Sequence, residues 1–212
     1  MNLEVTTFVN GRWKQNCYLV SNSEGDVVIV DPGSEGPRLI SLVQQRNWHV
    51  HGIVNSHGHF DHVGAVAEVK QHFKAPFYLH SADEPLLRRA NLYRLLFEAK
   101  EPVKIPDITH DISELPQQFA VGPFQFSWIA TPGHTEGSVC FQIGGFLFSG
   151  DTLMHEAIGR TDLPGGNRAK LLESVRKLTC LPPETVVCGG HGPRTTLGEQ
   201  FSRSSPVYRL LQ

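Results

Sequence analysis

The stretch Ser56-His57-Gly58-His59-Phe60-Asp61-His62 constrains this chain more than any other part of it. It follows a short apolar segment, His51 to Asn55, and precedes a segment with helical periodicity, Asp61 to Phe73. In an extended loop, residues two apart point to the same side, so His57 and His59 can reach one ion. Asp61 and His62 stand where the chain turns into the helix and are aimed at a second position; Asp61 can also cap that helix. At this chain's own histidine and aspartate frequencies, the pattern arises by chance about once in a thousand such chains.

Composition narrows the class. The 212 residues suit one domain spanning 1–212, and 40% hydrophobic with 19% charged residues is an ordinary globular mixture. A net charge of -2 gives no bulk attraction to nucleic acid or to an anionic membrane. No basic stripe interleaved with aromatics is present, so the expected partner is a small molecule and not a nucleic acid. Met1 to Lys14 lacks the basic and apolar regions of a secretory signal, and no apolar run nears the roughly 18 residues of a membrane helix. Cys17, Cys140, Cys180 and Cys188 form no Cys-x-x-Cys pair and read as reduced thiols of a cytoplasmic protein. A monomer fits this reading.

The pattern along the chain predicts strands at Glu4–Val9, Asn16–Ser21 and Asp26–Val30, with a turn at Ser23-Glu24-Gly25. A helix over Pro37–Gln45, the strand His51–Asn55, the helix Asp61–Phe73 and the strand Phe77–Leu79 follow. Ala82–Lys100 reads as one amphipathic helix carrying Leu86, Leu87, Leu92, Leu95 and Leu96, a candidate lid over a substrate. After a proline-rich connection, strands return at Phe124–Ala130, Ser138–Ile143 and Phe146–Phe148, the last two joined by Gly144-Gly145. Arg168–Leu178 reads as a helix and Glu184–Val187 as a strand. Each half thus offers a sheet with helices, and two sheets packed face to face with helices outside would bury both apolar faces, an α/β sandwich.

His134, Asp151 and His191 each lie just beyond a predicted strand, beside a glycine, where loops gather at one sheet end. With the first cluster they make seven nitrogen and oxygen donors: His57, His59, Asp61, His62, His134, Asp151 and His191. Such donors suit zinc first, with iron and manganese also accepted. Two divalent ions about 3.5–4 Å apart share a carboxylate, lower the pKa of a bound water toward about 7 and polarise a carbonyl. No serine or cysteine nucleophile is then needed.

These residues resemble the metallo-β-lactamase superfamily, and within it the glyoxalase II-like hydrolases of the short bacterial type. The resemblance runs from Asn16-Cys17-Tyr18-Leu19-Val20 and Val30-Asp31-Pro32-Gly33 to His191-Gly192-Pro193. Thr131-Pro132-Gly133-His134-Thr135 and Ser149-Gly150-Asp151-Thr152 narrow it to that branch. It implies a four-layer αββα sandwich, a first metal on His57, His59 and His134, a second on Asp61, His62 and His191, and Asp151 as bridge. Asp61 and Asp151 are then also the catalytic carboxylates. The implied reaction is hydrolysis of a small thioester, S-D-lactoylglutathione to D-lactate and glutathione. Asp31 is implied to support the metal loops from behind, as a carboxylate orienting a ligand histidine does; a turn-forming aspartate before Pro32 is the equal alternative. Arg160 keeps a basic residue of the family and is the candidate substrate-binding cation. Asp162 stands where the family has a tyrosine, and Gly192-Pro193 where the full-length enzymes have glutamate-tyrosine. The chain ends at Gln212, before a helical extension that supplies glutathione contacts in those enzymes.

An iron-dependent persulfide dioxygenase on the same fold is the competing reading, since that class shares the Gly-Arg-Thr-Asp stretch found at Gly159-Arg160-Thr161-Asp162. A phosphodiesterase or nuclease and a non-catalytic metal module complete the set.

Overall fold

Strands that are apolar at nearly every position need cover on both faces. β2 (Gln15–Asn22), buried throughout, and β3 (Asp26–Val30) are of this kind. In the computed structural model, which describes residues 2–98 and 101–212, they lie inside a six-stranded sheet. Its order is β1 (Leu3–Asn10), β2, β3, β4 (His49–Val54), β5 (Phe77–Leu79) and β6 (His110–Asp111). The first three strands form antiparallel pairs and the rest run parallel. A second six-stranded sheet contains β7 (Gln118–Val121), β8 (Phe124–Ala130), β9 (Val139–Ile143) and β10 (Phe146–Gly150). It is completed by β13 (Val186–Gly189) and β14 (Thr195–Thr196), in the order β14-β13-β10-β9-β8-β7. Between β10 and β13 the chain forms the small hairpin β11 (Leu153–Met154) and β12 (Ala157–Ile158).

Alternation along these strands builds three apolar layers. Tyr18, Val20, Val28 and Val30 face Phe124, Phe126, Phe141 and Phe148 across the space between the sheets. Their neighbours Leu19, Val27 and Ile29 point the other way, onto α1 (Gly36–Gln45) through Leu39 and Val43 and onto α3 (Val66–Phe73) through Val66 and Val69. Outside the second sheet, Cys140, Leu147 and Val187 pack on Leu171, Val175 and Leu178 of α6 (Arg168–Leu178). The result is the four-layer αββα sandwich.

Two predicted helices are each broken in the structure. Asp61–Phe73 is two helices, α2 (Phe60–Val63) and α3, because the Gly33 loop is inserted at the break. Gly33 N–H donates to His62 O at 3.1 Å, and Ala65 N–H donates to Gly33 O at 2.6 Å instead of to the preceding helical turn. Ala82–Lys100 becomes a 3₁₀ turn at Ser81–Asp83, then α4 (Glu84–Arg88) and α5 (Ala90–Glu98); Ala99 and Lys100 lie outside the described residues, as does Met1. Only Leu86 and Leu87 of its five leucines are buried. Leu92, Leu95 and Leu96 are exposed, while Arg94 and Glu98 face inward. The C-terminal helices α7 (Leu197–Gln200) and α8 (Pro206–Leu210), and the strands β1's tail, β7 and β14, extend or add to the predicted elements. The Gly144-Gly145 hairpin is found as predicted, with Ile143 opposite Phe146.

Candidate metal centre

The C-terminal ends of β3, β4, β8, β10 and β13 open onto one edge of the sandwich, and the loops leaving them carry every predicted donor. β4 leads through Asn55 and Ser56 to His57 and His59, and α2 brings Asp61 and His62. β8 leads to His134, β10 ends beside Asp151, and β13 is followed by Gly190 and His191. The structure therefore brings all seven together. One loop glycine shows how tight the assembly is: a Cβ on Gly190 would stand 2.1 Å from Asp151 Oδ1 and 2.8 Å from the His62 ring.

Donor atoms of His57, His59 and His134 lie within 4.8 Å of one another, as do those of Asp61, His62 and His191. His59 Nδ1 is 2.8 Å from His134 Nε2, and the His57 ring is 4.8–4.9 Å from both, centroid to centroid. In the second trio, Asp61 Oδ2 is 3.8 Å from His62 Nε2 and 3.4 Å from His191 Nε2. Asp151 stands between the trios: Oδ2 is 3.5 Å from His134 Nε2 and 3.7 Å from His191 Nε2, and Oδ1 is 3.6 Å from His62 Nε2.

The outward nitrogens show which way each ring is held. His134 Nδ1–H donates to Arg160 O at 2.8 Å and His191 Nδ1–H to Trp13 O at 3.0 Å, which turns both Nε2 atoms inward. Ser56 Oγ donates its one proton to Asp31 Oδ2 at 2.6 Å, so at 3.0 Å it accepts from His57 Nδ1–H. His62 Nδ1 lies 3.2 Å from the same Asp31 oxygen. Asp31 is also close to donors of His57 and His62, but both its oxygens are already engaged, Oδ1 accepting Ser56 N–H at 2.7 Å. It is therefore suited to orienting the histidines and not to ligating. Its φ of +50° shows the turn role as well, since aspartate tolerates this region better than most residues.

Burial drives the His57 imidazole well below its ordinary value, with His62 and His134 adding to the effect, and brings His59 down to about 3. Burial acts on His62 in the same direction, but Asp61, Asp31 and Asp151 outweigh it and hold that ring up at about 10. His191 is likewise raised, its burial overcome by Asp61 and Asp151. Burial opposes ionisation of Asp61 and Asp151, yet the surrounding histidines keep both carboxyls below the usual range.

The donors fit divalent ions. His57 Nε2, His62 Nε2 and Asp151 Oδ1 are buried and have no hydrogen-bond partner. Each such orphan costs about 1–3 kcal/mol in a folded protein, a cost that coordination removes. His57 and His59 as neutral imidazoles, and Asp61 and Asp151 as carboxylates, are already in ligand form, whereas His62 must give up a proton to ligate.

Above the donors is a cleft of about 120 Å³ walled by Trp13, Phe60, Phe97 and Leu163, with Arg160 also lining it. Phe60 stacks on Phe97 at 5.9 Å and an interplanar angle of 12°, tying α5 to α2. Helix α5 is thus a wall of the cleft. Arg160 makes a two-pronged pair with Asp162, Nε and Nη2 each at 2.7 Å. A larger hollow between α4 and residues 105–114 holds none of the seven donors. The sequence pattern assigns no role to Ser56, although it opens the histidine motif, nor to Trp13, Phe97 and Leu163; Trp13 lies in the turn closed by Lys14 N–H on Gly11 O.

Fold and site together define a metal-handling protein built on the αββα sandwich. The chain belongs to the metallo-beta-lactamase superfamily, whose family model matches residues 10–191. It is 32% identical to the hydroxyacylglutathione hydrolase GloC of Haemophilus influenzae, over 97% of each chain. Among solved structures it is similar to the BLEG-1 B3 metallo-beta-lactamase (TM-score 0.88, 34% identity, 93% of this chain and 96% of that one). It is also similar to TTHA1623 in a di-iron-bound form (TM-score 0.86, 38% identity, 95% and 98%).

Proposed function

We propose that this chain hydrolyses a small thioester, S-D-lactoylglutathione being the first candidate, with two divalent ions, zinc foremost, held by His57, His59 and His134 and by Asp61, His62 and His191. Asp151 is assigned the bridge. The observation that carries the reading is Asp151 within 3.5–3.7 Å of donors in both trios, at the floor of the cleft. When bound, such ions lower the pKa of water toward about 7 and polarise a carbonyl. The protein's own groups supply the rest. Trp13, Phe60, Phe97 and Leu163 exclude bulk water and hold the substrate's apolar part. Arg160 at the cleft holds a substrate carboxylate by sharing or releasing Asp162. Among the described residues no serine, threonine or cysteine lines the cleft, and burial pushes the thiols of Cys140 and Cys188 up to about 11 and about 12, which supports water and not a side chain as the nucleophile.

The likeness to GloC supports the thioester and the glyoxalase II-like assignment. Four free cysteines support a cytoplasmic, reducing location; among the described residues no helix is long and apolar enough to cross a membrane. Gly159-Arg160-Thr161-Asp162 is the one feature favouring the persulfide dioxygenase. The deciding experiment is metal analysis of protein purified without chelator, then assays on three substrates. Hydrolysis of S-D-lactoylglutathione is expected. Oxygen uptake on glutathione persulfide with one iron per chain would replace the proposal by the dioxygenase, and turnover of a β-lactam alone would place the chain beside the BLEG-1 relative.

A further inference from the structure

We propose that Asp83 is a positioning residue that sets the geometry of the first metal position by clamping together the two loops that supply it. Asp83 closes the 3₁₀ turn after β5 and is fully buried. Its Oδ2 accepts Gly58 N–H at 2.7 Å, between His57 and His59. The same oxygen accepts the Thr135 hydroxyl at 2.7 Å, next to His134. Its Oδ1 accepts Gly137 N–H at 2.7 Å, in the same His134 loop. The first loop leaves the first sheet and the second leaves the second sheet, so one carboxylate ties the sheets together where their donors meet. Three short bonds to a single charged acceptor are of the stronger kind.

The contact has been kept free of side chains. A Cβ on Gly58 would stand 2.9 Å from Asp83 O, and one on Gly137 would stand 2.8 Å from Asp83 Oδ1 and N. Behind Thr135, its own N–H and hydroxyl both meet Ser138 Oγ, at 3.1 and 2.7 Å, which fixes the hydroxyl on the carboxylate. Burial raises the Asp83 carboxyl above its ordinary value, and the Thr135, Gly58 and Gly137 donors pull it back. No bond from Asp83 reaches Asp61, His62 or His191; that trio is braced instead by Asp31 behind His62 and by Trp13 O behind His191. The clamp therefore acts on one position of the two.

The test uses cobalt(II) added to metal-free protein and followed by its visible absorption, in two backgrounds. His191→Ala leaves the first trio whole, and His59→Ala leaves the second. Asp83→Asn, which turns an amide N–H toward one of the two backbone donors, Gly58 N–H or Gly137 N–H, is expected to weaken cobalt about 10–100-fold in the His191→Ala background and to leave it unchanged in the His59→Ala background. A residue that merely stabilises the fold would weaken both equally; equal weakening, or none, overturns the proposal. Thr135→Val removes one donor of the three and is expected to weaken the first position less, with Thr135→Ser restoring it. If Asp83→Asn fails to fold, the threonine pair decides: indistinguishable cobalt affinities for Val and Ser overturn the clamp.

Discussion

At the scale of single residues, protonation separates the two metal positions. His57 lies well below its ordinary value and His59 at about 3, so near neutrality both rings are already neutral and lose no proton on ligation. His62, held at about 10, carries a proton that an ion must displace, and His191, raised by Asp61 and Asp151 against its burial, is shifted in the same direction. The sign follows. A ligand protonated in the metal-free protein makes affinity rise with pH up to its pKa and fall with acid, by about tenfold per pH unit for each proton released. Acidification from pH 8 to pH 6 is therefore expected to strip the second position first, read as loss of one equivalent on dialysis; simultaneous loss of both would contradict the assignment. Asp151 touches both trios, so Asp151→Ala should loosen both ions and lower thioester turnover by several orders of magnitude. Wild-type turnover with two ions retained would remove its bridging role.

At the scale of elements, the loops are only as well placed as the strands and helices behind them. Helix α6 illustrates this. Its Asn167 N–H donates to Gly133 O at 2.7 Å, and its Leu171 backbone lies so close to Gly133 that a Cβ there would stand 2.2 Å from it. Leu171 is fully buried in the outer apolar layer, so Leu171→Ala is expected to cost about 2–5 kcal/mol in denaturant unfolding while His134 keeps its backbone tether. An unchanged midpoint would show that α6 does not hold this turn. The same packing explains what was readable in the sequence. Apolar runs such as the β-branched Asp26–Val30 and the aromatic Phe77–Leu79, and the amphipathic Arg168–Leu178, carry their structure locally, and their predicted bounds are the observed ones. The break between α2 and α3 was not readable, because it is made by Gly33, some thirty residues away, donating to His62 O and accepting from Ala65. The inward Arg94 and Glu98 of α5 likewise defeat a reading based on leucine spacing. Among the donors, His57, His59, Asp61 and His62 announce themselves by spacing. Asp83 has no motif, and its role exists only once β5 has been laid beside β4 and opposite the second sheet.

At the scale of the whole molecule, the seven donors are drawn from both sheets, and the ions are therefore expected to act as cross-links of the folded state. Apart from them the sandwich has three apolar layers of its own, so chelation is expected to lower stability without unfolding the chain. Linkage gives the size: a position held at a hundred times its Kd adds about 2.7 kcal/mol to the folded state. In a chain of 212 residues that corresponds to roughly 5–10 °C in Tm for each ion. Far-ultraviolet circular dichroism should be retained after chelation, because the helices and strands close around apolar residues and not around the donors. The Tm should recover in two steps on returning metal, with the first equivalent entering the position that holds the already neutral His57 and His59. Metal-free protein that melts where the loaded protein does would mean that the trios do not bind in the folded state. Protein that unfolds outright on chelation would mean that the inter-sheet layer of Tyr18, Phe124, Phe126, Phe141 and Phe148 is too weak to hold the two sheets without them.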